Sequence, residues 1–198
     1  MNTKNVVTDE VVKKAIQYAY DETDKYGLPT KLHLDLSIEK GIEIAEMLEA
    51  DSNIVAVGVA LMDIKLGEAF AAKRQPEHVK MSAEATRAFL SQHNIKEHLA
   101  DKVINCVEAH HGTIPFSCIE AEIVANADCY RFIHPKGVFH YIGTLTKRNL
   151  SFKEIIDGAD AKLEEKNKIL SLPYCKKQLE PHYISFKKMF AEARVGEK

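Results

Sequence analysis

Apolar residues recur at helical spacing along most of this chain and predict a series of amphipathic helices. Thr8 is placed to cap a first helix that runs to about residue 25, where Gly27 and Pro29 interrupt the pattern. Thr30 is placed to cap a second helix, whose apolar side chains recur every three or four residues from Leu34 to Leu48. The chain therefore begins as two consecutive helices.

A continuous apolar segment follows, from Ile54 to Met62, and it ends directly on a carboxylate, Asp63. Periodicity alone does not separate a buried strand from a buried helix in so short a segment, and the helical segments on both sides favour a helix. The segment is shorter than the roughly 20 residues that a membrane-spanning helix needs.

The remaining segments also repeat at helical spacing. A helix in "KEHLADKVINCVEAHHG" ends on Gly112, and Ser117 is placed to cap a helix in "SCIEAEIVANADCYRFIH". Ser151 and Glu154 have the spacing of a capping box, and a last helix covers about residues 174–193. Because strand alternation and repeats are not evident, the sequence predicts one all-α domain over residues 1–198.

Composition and charge narrow the class of protein. The chain has 198 residues, with 45% hydrophobic residues, 28% charged residues and a formal net charge of −2, values typical of a globular domain. The charge balance predicts no extended nucleic-acid surface. The first residues, "MNTKNVVTDEVVKK", lack the apolar stretch of a signal peptide, so we expect a cytoplasmic protein without a membrane partner. Homo-oligomerisation stays open.

Several polar residues interrupt positions that the pattern would bury. Each has an ordinary explanation on its own, as a helix cap, a surface residue or a hydrogen-bonded core carboxylate. Together they suggest a metal site, because buried charge is costly unless it is paired or bound to a metal, and imidazole with carboxylate suits divalent Fe, Mn, Zn, Ni or Co. The residues are His33, Asp63, His78, His110, His111 and Asp128.

The order of these residues resembles the HD superfamily of metal-dependent phosphohydrolases. That family has a histidine at one helix start, a His-Asp pair that ends an apolar helix, and an aspartate on a later helix; His33, Asp63 and Asp128 stand in those places. A branch that includes the HD-GYP phosphodiesterases adds histidines where His78 and the "HHG" segment stand. The resemblance covers about residues 25–135, and it implies an HD-type helical bundle with the helices of about 136–193 packed on it.

Two departures from the family pattern change what the resemblance implies. Met62 stands where the family has the histidine of the pair, and "HHGTIPFS" replaces the GYP motif, so the sequence does not predict cyclic-dinucleotide hydrolysis. In a two-metal arrangement Asp63 bridges both ions, and the second ion takes His78, His110 and His111. The first ion keeps His33, Asp63 and Asp128, and a methionine thioether is a poor ligand for hard divalent ions.

The resemblance therefore implies one tightly bound divalent ion (Fe, Mn, Zn, Ni, Co or Mg) and a second, weaker one that Met62→His would strengthen. The implied activity is hydrolysis of a nucleotide or another small phosphoester, with Asp63 and Asp128 as catalytic residues. Lys65 is a further catalytic candidate, although it lies one residue short of the lysine often found after the pair. Lys73, Arg74 and Arg131 are candidates to contact a phosphate. The alternative is a binding or regulatory module that has lost part of its metal site.

Overall fold

The computed structural model describes residues 6–195 and contains ten α-helices with one short 3-10 helix, Gln75–Glu77. Within that range no residue lies in a β-strand, so the predicted all-α class is confirmed. The helices are α1 (Asp9–Tyr26), α2 (Lys31–Met47), α3 (Ser52–Leu61), α4 (Leu66–Ala71), α5 (His78–Gln92), α6 (Glu97–Ala109), α7 (Ile119–Ile133), α8 (Pro135–Thr146), α9 (Phe152–Ile169) and α10 (Pro173–Ala193).

Most of the predicted helix starts are confirmed. The hydroxyl of Thr30 accepts a hydrogen bond from the backbone N–H of His33, and Ser151 and Glu154 form the reciprocal capping box at the start of α9. Thr8 precedes α1 as predicted, although its side chain makes no capping hydrogen bond with any described residue. These local signals therefore set where the helices begin.

The predicted cap at Ser117 was wrong. Cys118 is the N-cap of α7, and the backbone N–H of Ser117 instead donates to the side-chain oxygen of Asn105, at 2.8 Å. This contact fixes the loop after α6. Gly112 in that loop has a φ of 67°, in the left-handed region, but α6 itself ends earlier, at Ala109.

Two helices were not predicted individually. α4 is a short helix that follows directly on the turn containing Asp63. α8 begins at Pro135, because a proline at the first helical position has no N–H that needs a partner. The "HPKG" segment therefore ends one helix and begins the next. Thr144 lies in α8 and Arg148 follows it, and both line the cavity described below.

The apolar segment between residues 54 and 62 is the buried helix α3, which packs against α1, α2, α6 and α7. Its residues from Ile54 to Leu61 are all buried, which explains why its sequence is apolar on every face. Gly58 permits the close approach of α6, because a Cβ atom at that position would lie 2.6 Å from the Cβ of Cys106. The packing of α3 against four other helices therefore fixes the place of the turn that follows it.

The second buried helix is α7, which packs against α2, α3 and α6 and also against α8, α9 and α10. It carries Asp128 and Arg131 one turn apart, so both side chains emerge on the same face. The C-terminal helices α9 and α10 also pack against each other. In the described part of the chain, no helix has the length and apolar character needed to cross a membrane.

Candidate metal centre

Asp63, His78, His110 and His111 converge at the end of α3. Asp63 lies in the turn after that helix, His78 is the first residue of α5, and the two adjacent histidines follow the end of α6. One ligand atom from each of the four residues lies within 4.8 Å of every other. The structure therefore brings together four of the six residues that the sequence suggested as metal ligands.

Backbone contacts orient two of these imidazoles. The Nδ1 atom of His78 lies 2.6 Å from the carbonyl oxygen of Gln75, and that of His110 lies 2.7 Å from the carbonyl oxygen of Val107. A carbonyl only accepts, so each Nδ1 carries a proton, and in the neutral ring Nε2 is the atom that presents a lone pair. These Nε2 atoms lie 3.4 Å and 3.5 Å from Oδ1 of Asp63.

His111 has a partner for either tautomer of its ring. Its Nε2 faces the Nε2 of His78 at 3.2 Å, while its Nδ1 lies 3.3 Å from Nζ of Lys166 and 3.5 Å from Oε1 of Glu165. When Nδ1 accepts from the ammonium, Nε2 carries the proton and donates to His78. When Nδ1 instead donates to the carboxylate, Nε2 is free to bind a metal.

The second oxygen of Asp63 faces a guanidinium. Nη1 of Arg131 lies 2.7 Å from Oδ2 of Asp63 and 2.8 Å from Oδ1 of Asp128, so it joins the two carboxylates. Nζ of Lys166 lies 2.6 Å from the other oxygen of Asp128. Arg131, Lys166 and Asp128 are 4%, 1% and 1% exposed, which makes this a buried cluster of paired charges.

The paired charges determine the protonation of this cluster. Burial alone would raise the pKa of Asp63, but the Arg131 guanidinium, with His110 and His78, holds it well below its ordinary value. Burial likewise opposes ionisation of Asp128, yet Lys166 and Arg131 keep its pKa below its usual range. Both carboxylates are therefore ionised at neutral pH, and both can act as acceptors or ligands.

Met62 and His33 do not join the four-residue cluster. Met62 is 1% exposed and belongs to the hydrophobic core, and it does not line the cavity beside the cluster. The Nε2 of His33 donates to the carbonyl oxygen of Gly137 at 3.1 Å. Burial, followed by the charge of Arg131, lowers the pKa of His33 to about 3, so this imidazole is neutral and carries its proton on Nε2.

Three of the four basic residues that the sequence suggested for catalysis or phosphate contact lie away from the cavity. Lys65 points towards α1, where its ammonium pairs with Glu22 at 3.0 Å and with Glu68 at 2.9 Å, and it does not line the cavity. Arg74 pairs with Glu77 on the surface, and Lys73 is also exposed. Of these four candidates, only Arg131 reaches the cavity.

A cavity of about 170 Å³ opens over the cluster. Its lining combines Asp63, Asp128 and the imidazoles of His33, His78 and His111 with an aromatic and aliphatic wall. Four basic side chains also line it, namely Arg131, Arg148, Lys162 and Lys166. Sequence reasoning missed Lys162 and Lys166, because α9 is charged along much of its length and its lysines resemble an ordinary solvated face.

The four-residue cluster fits a divalent metal ion. Three imidazole nitrogens and one carboxylate oxygen match the ligands of Fe, Mn, Zn, Co and Ni sites. The Nε2 of His110 is buried and has no hydrogen-bond partner in residues 6–195, which an ion among the four ligand atoms would correct. The Asp63–Asp128 side does not fit a second ion in the same way, because Arg131 already contacts both carboxylates.

Comparisons with known proteins support the fold. No protein-family model matches the chain. A curated relative, Ribonuclease Y of Finegoldia magna, is 27% identical over 144 residues, and the match covers 64% of this chain. The chain spans only about a quarter of that relative, since the match covers 26% of its length.

Two solved structures share the arrangement of helices along nearly the whole chain. One, described as a predicted HD superfamily hydrolase from an uncultured Thermotogales bacterium, has a TM-score of 0.65 at 16% identity, covering 93% of this chain and 91% of the other. Bacillus subtilis YpgQ has a TM-score of 0.65 at 14% identity, covering 95% and 97%. The chain therefore has the all-α fold of an HD superfamily hydrolase, as the order of its histidines and aspartates predicted.

Proposed function

We propose that this protein is a metal-dependent phosphohydrolase that acts on a nucleotide or another small phosphoester. The observation that carries the proposal is the position of the four-residue cluster. Asp63, His78 and His111 of this cluster line a cavity that four basic side chains also line, and the buried His110 completes the ligand set. A metal-binding set beside an anion-attracting wall is the arrangement that phosphoester hydrolysis needs.

The metal ligands would be Asp63, His78, His110 and His111. A divalent ion held there would supply a Lewis acid and would lower the pKa of a bound water molecule. The chain's own part is to fix the ligands: the carbonyl oxygens of Gln75 and Val107 hold two imidazoles in the ligating tautomer. Glu165 can accept the Nδ1 proton of His111 when its Nε2 binds the ion.

The basic residues would receive the phosphoryl group. Arg131, which is buried, lines the cavity and contacts Asp63, while the guanidinium of Arg148 stacks on the exposed Phe70 ring at 5.1 Å. Lys162 is partly exposed, and its Nζ forms an ion pair with Oε2 of Glu165 at 2.7 Å. These side chains offset the charge of an incoming phosphate before it reaches the metal.

Asp128 acts through its neighbours in this proposal. Its two oxygens contact Arg131 and Lys166, so it holds both cations in position and does not need to contact the substrate. The proposal gives Lys65 no part in the reaction, since its ammonium pairs with Glu22 and Glu68.

The cavity favours a small substrate. A volume of about 170 Å³ is below the roughly 300–1,000 Å³ typical of ligand pockets, so it admits a phosphoryl group while the rest of the ester lies at the mouth. The name of the relative, Ribonuclease Y, suggests an RNA phosphodiester as a second substrate class. The net charge of −2 argues against a long nucleic acid. The cytoplasmic location and self-association remain predictions.

The second candidate function is a binding module without catalysis. It is favoured by Met62, which lies in the core, and by Arg131, which ties Asp63 to Asp128. A guanidinium at this place occupies the carboxylate oxygens that a second metal ion would otherwise contact. Such a module would bind a metal ion and a phosphorylated ligand and would not turn the ligand over.

Hydrolysis and metal content measured on the same samples separate the two functions. Protein purified without chelator should hydrolyse an aryl phosphate or a member of a nucleotide panel, and His110→Ala should lose both the metal and the activity. His98→Ala is the matched control, since His98 is exposed on the same helix. Activity that persists in excess chelator would exclude a metal mechanism, and bound metal with no hydrolysis of any substrate would favour the module.

A further inference from the structure

We infer that Arg131 is a built-in cation that takes the place of a second metal ion between Asp63 and Asp128, so the centre holds one exchangeable ion only. This inference rests on the proposed metal centre but not on catalysis. It assigns different partners to the two oxygens of Asp63. Oδ1 faces the imidazoles of His78 and His110, and Oδ2 faces the guanidinium.

The geometry of Arg131 is that of a bridging group. One nitrogen, Nη1, lies within 2.8 Å of a carboxylate oxygen from Asp63 and of one from Asp128. Arg131 and Asp128 lie one turn apart on α7, so the helix itself holds the guanidinium against its partner. A guanidinium is charged at every pH at which the protein is folded. Its charge therefore does not depend on whether metal ions are available.

Charge balance opposes a second ion. Asp63 and Asp128 bring two negative charges, and Arg131 and Lys166 bring two positive ones, so the buried cluster is neutral before any metal binds. One divalent ion at the histidines already leaves an excess of positive charge. A second ion would add more positive charge to a site with few further acceptors, which is costly in a buried environment.

The side chains around Arg131 also offer little to a metal. The sulfur of Met62 belongs to a residue packed in the hydrophobic core, and the Nε2–H of His33 is committed to the carbonyl oxygen of Gly137. Substituting histidine at position 62 alone therefore does not create a second site, because the guanidinium stays between the carboxylates. This changes the expectation drawn from the sequence for Met62→His.

Arg131 has spare hydrogen-bonding capacity. It lines the cavity, and its buried Nε–H has no hydrogen-bond partner in residues 6–195. The guanidinium thus combines a fixed charge with an N–H that its two carboxylate contacts do not use. In this inference the guanidinium of Arg131 is the second cation of the centre, beside the one metal ion at the histidines.

Titration with Mn²⁺ tests the inference in metal-depleted protein. We expect the wild type to bind one equivalent and, once unbound Mn²⁺ has been removed, to show no spin-coupled electron paramagnetic resonance signal. Arg131→Gln, which removes the charge, should bind a second ion at least about tenfold more tightly and give a spin-coupled spectrum. Arg131→Lys, which keeps the charge, should behave as the wild type.

Two equivalents or a spin-coupled spectrum in the wild type would overturn the inference. A folded Arg131→Gln variant that binds only one ion, as the wild type is expected to do, would also overturn the inference. If that variant fails to fold, the wild-type stoichiometry and spectrum decide alone. A protein that binds one isolated ion but hydrolyses nothing would sink the proposed catalysis and leave the inference intact, so the two failures are distinguishable.

Discussion

Replacing Asp128 by asparagine tests whether the buried charge cluster holds the fold together. The substitution keeps the shape of the side chain and removes one negative charge between Arg131 and Lys166. Nζ of Lys166 lies 2.6 Å from Asp128, a separation at which two charges attract by about 6 kcal/mol at an effective dielectric constant near 20. Both groups lose hydration when buried, so the net effect is smaller than this attraction.

We expect Asp128→Asn to lower the free energy of unfolding by about 3 kcal/mol, because Lys166, which is 1% exposed, then keeps only one carboxylate contact, the longer one with Glu165, at 3.5 Å. For a chain of 198 residues this corresponds to a fall in Tm of about 6–12 °C. Urea denaturation followed by circular dichroism measures it, provided the slope m is unchanged. The experiment is best done on metal-free protein, so that loss of an ion does not contribute.

Asp24→Asn is the matched control. Asp24 contacts Lys31 at a similar distance, 2.7 Å, but both side chains are about half exposed. An exposed pair contributes at most about 1 kcal/mol, so this variant should unfold nearly as the wild type does. Equal losses in the two variants would refute the reasoning that burial makes the Asp128 contacts important.

Two further predictions concern other parts of the fold. Burial lowers the pKa of His33 to about 3, below the roughly 6.5 of an unfolded imidazole, so its contribution to stability is complete above about pH 6.5 and is lost as the pH falls towards 3. His33→Gln should therefore flatten the fall in stability between pH 6.5 and 4, and a fall unchanged from the wild type would contradict this. Gly58→Ala should destabilise by about 1–3 kcal/mol, because its Cβ would lie 2.6 Å from the Cβ of Cys106. Gly143→Ala, whose Cβ meets nothing within 4 Å, should be neutral or slightly stabilising in the same denaturation series.

The fold was largely predictable because its signals are local. The helical period and the caps at Thr30 and Ser151 depend only on residues that are close together in the chain. The ambiguous segment from Ile54 to Met62 was resolved by its neighbours, since a helix surrounded by other helices is apolar on all faces. The error at Ser117 has a tertiary cause, the contact of its N–H with Asn105 across the loop, which the local pattern does not contain.

The candidate site was predictable only in part. Asp63 and the three clustered histidines stand at helix ends, where an apolar pattern stops abruptly, and that signal is visible in the sequence. The role of Arg131 depends on a side-chain contact with Asp63, which lies 68 residues away in the chain. Nothing in the sequence distinguishes Lys166 from the other lysines of α9, because its burial follows from how that helix packs on α7.

The most direct test of the account is the metal content of protein purified without chelator. We expect about one equivalent of a divalent transition metal per chain in the wild type and in His98→Ala, and far less in His110→Ala. The reason is that His110 presents a buried Nε2 to the other three ligands and has no hydrogen-bond partner for it in residues 6–195. Wild-type protein that remains empty after growth in metal-supplemented medium, or His110→Ala with undiminished metal, would contradict the account.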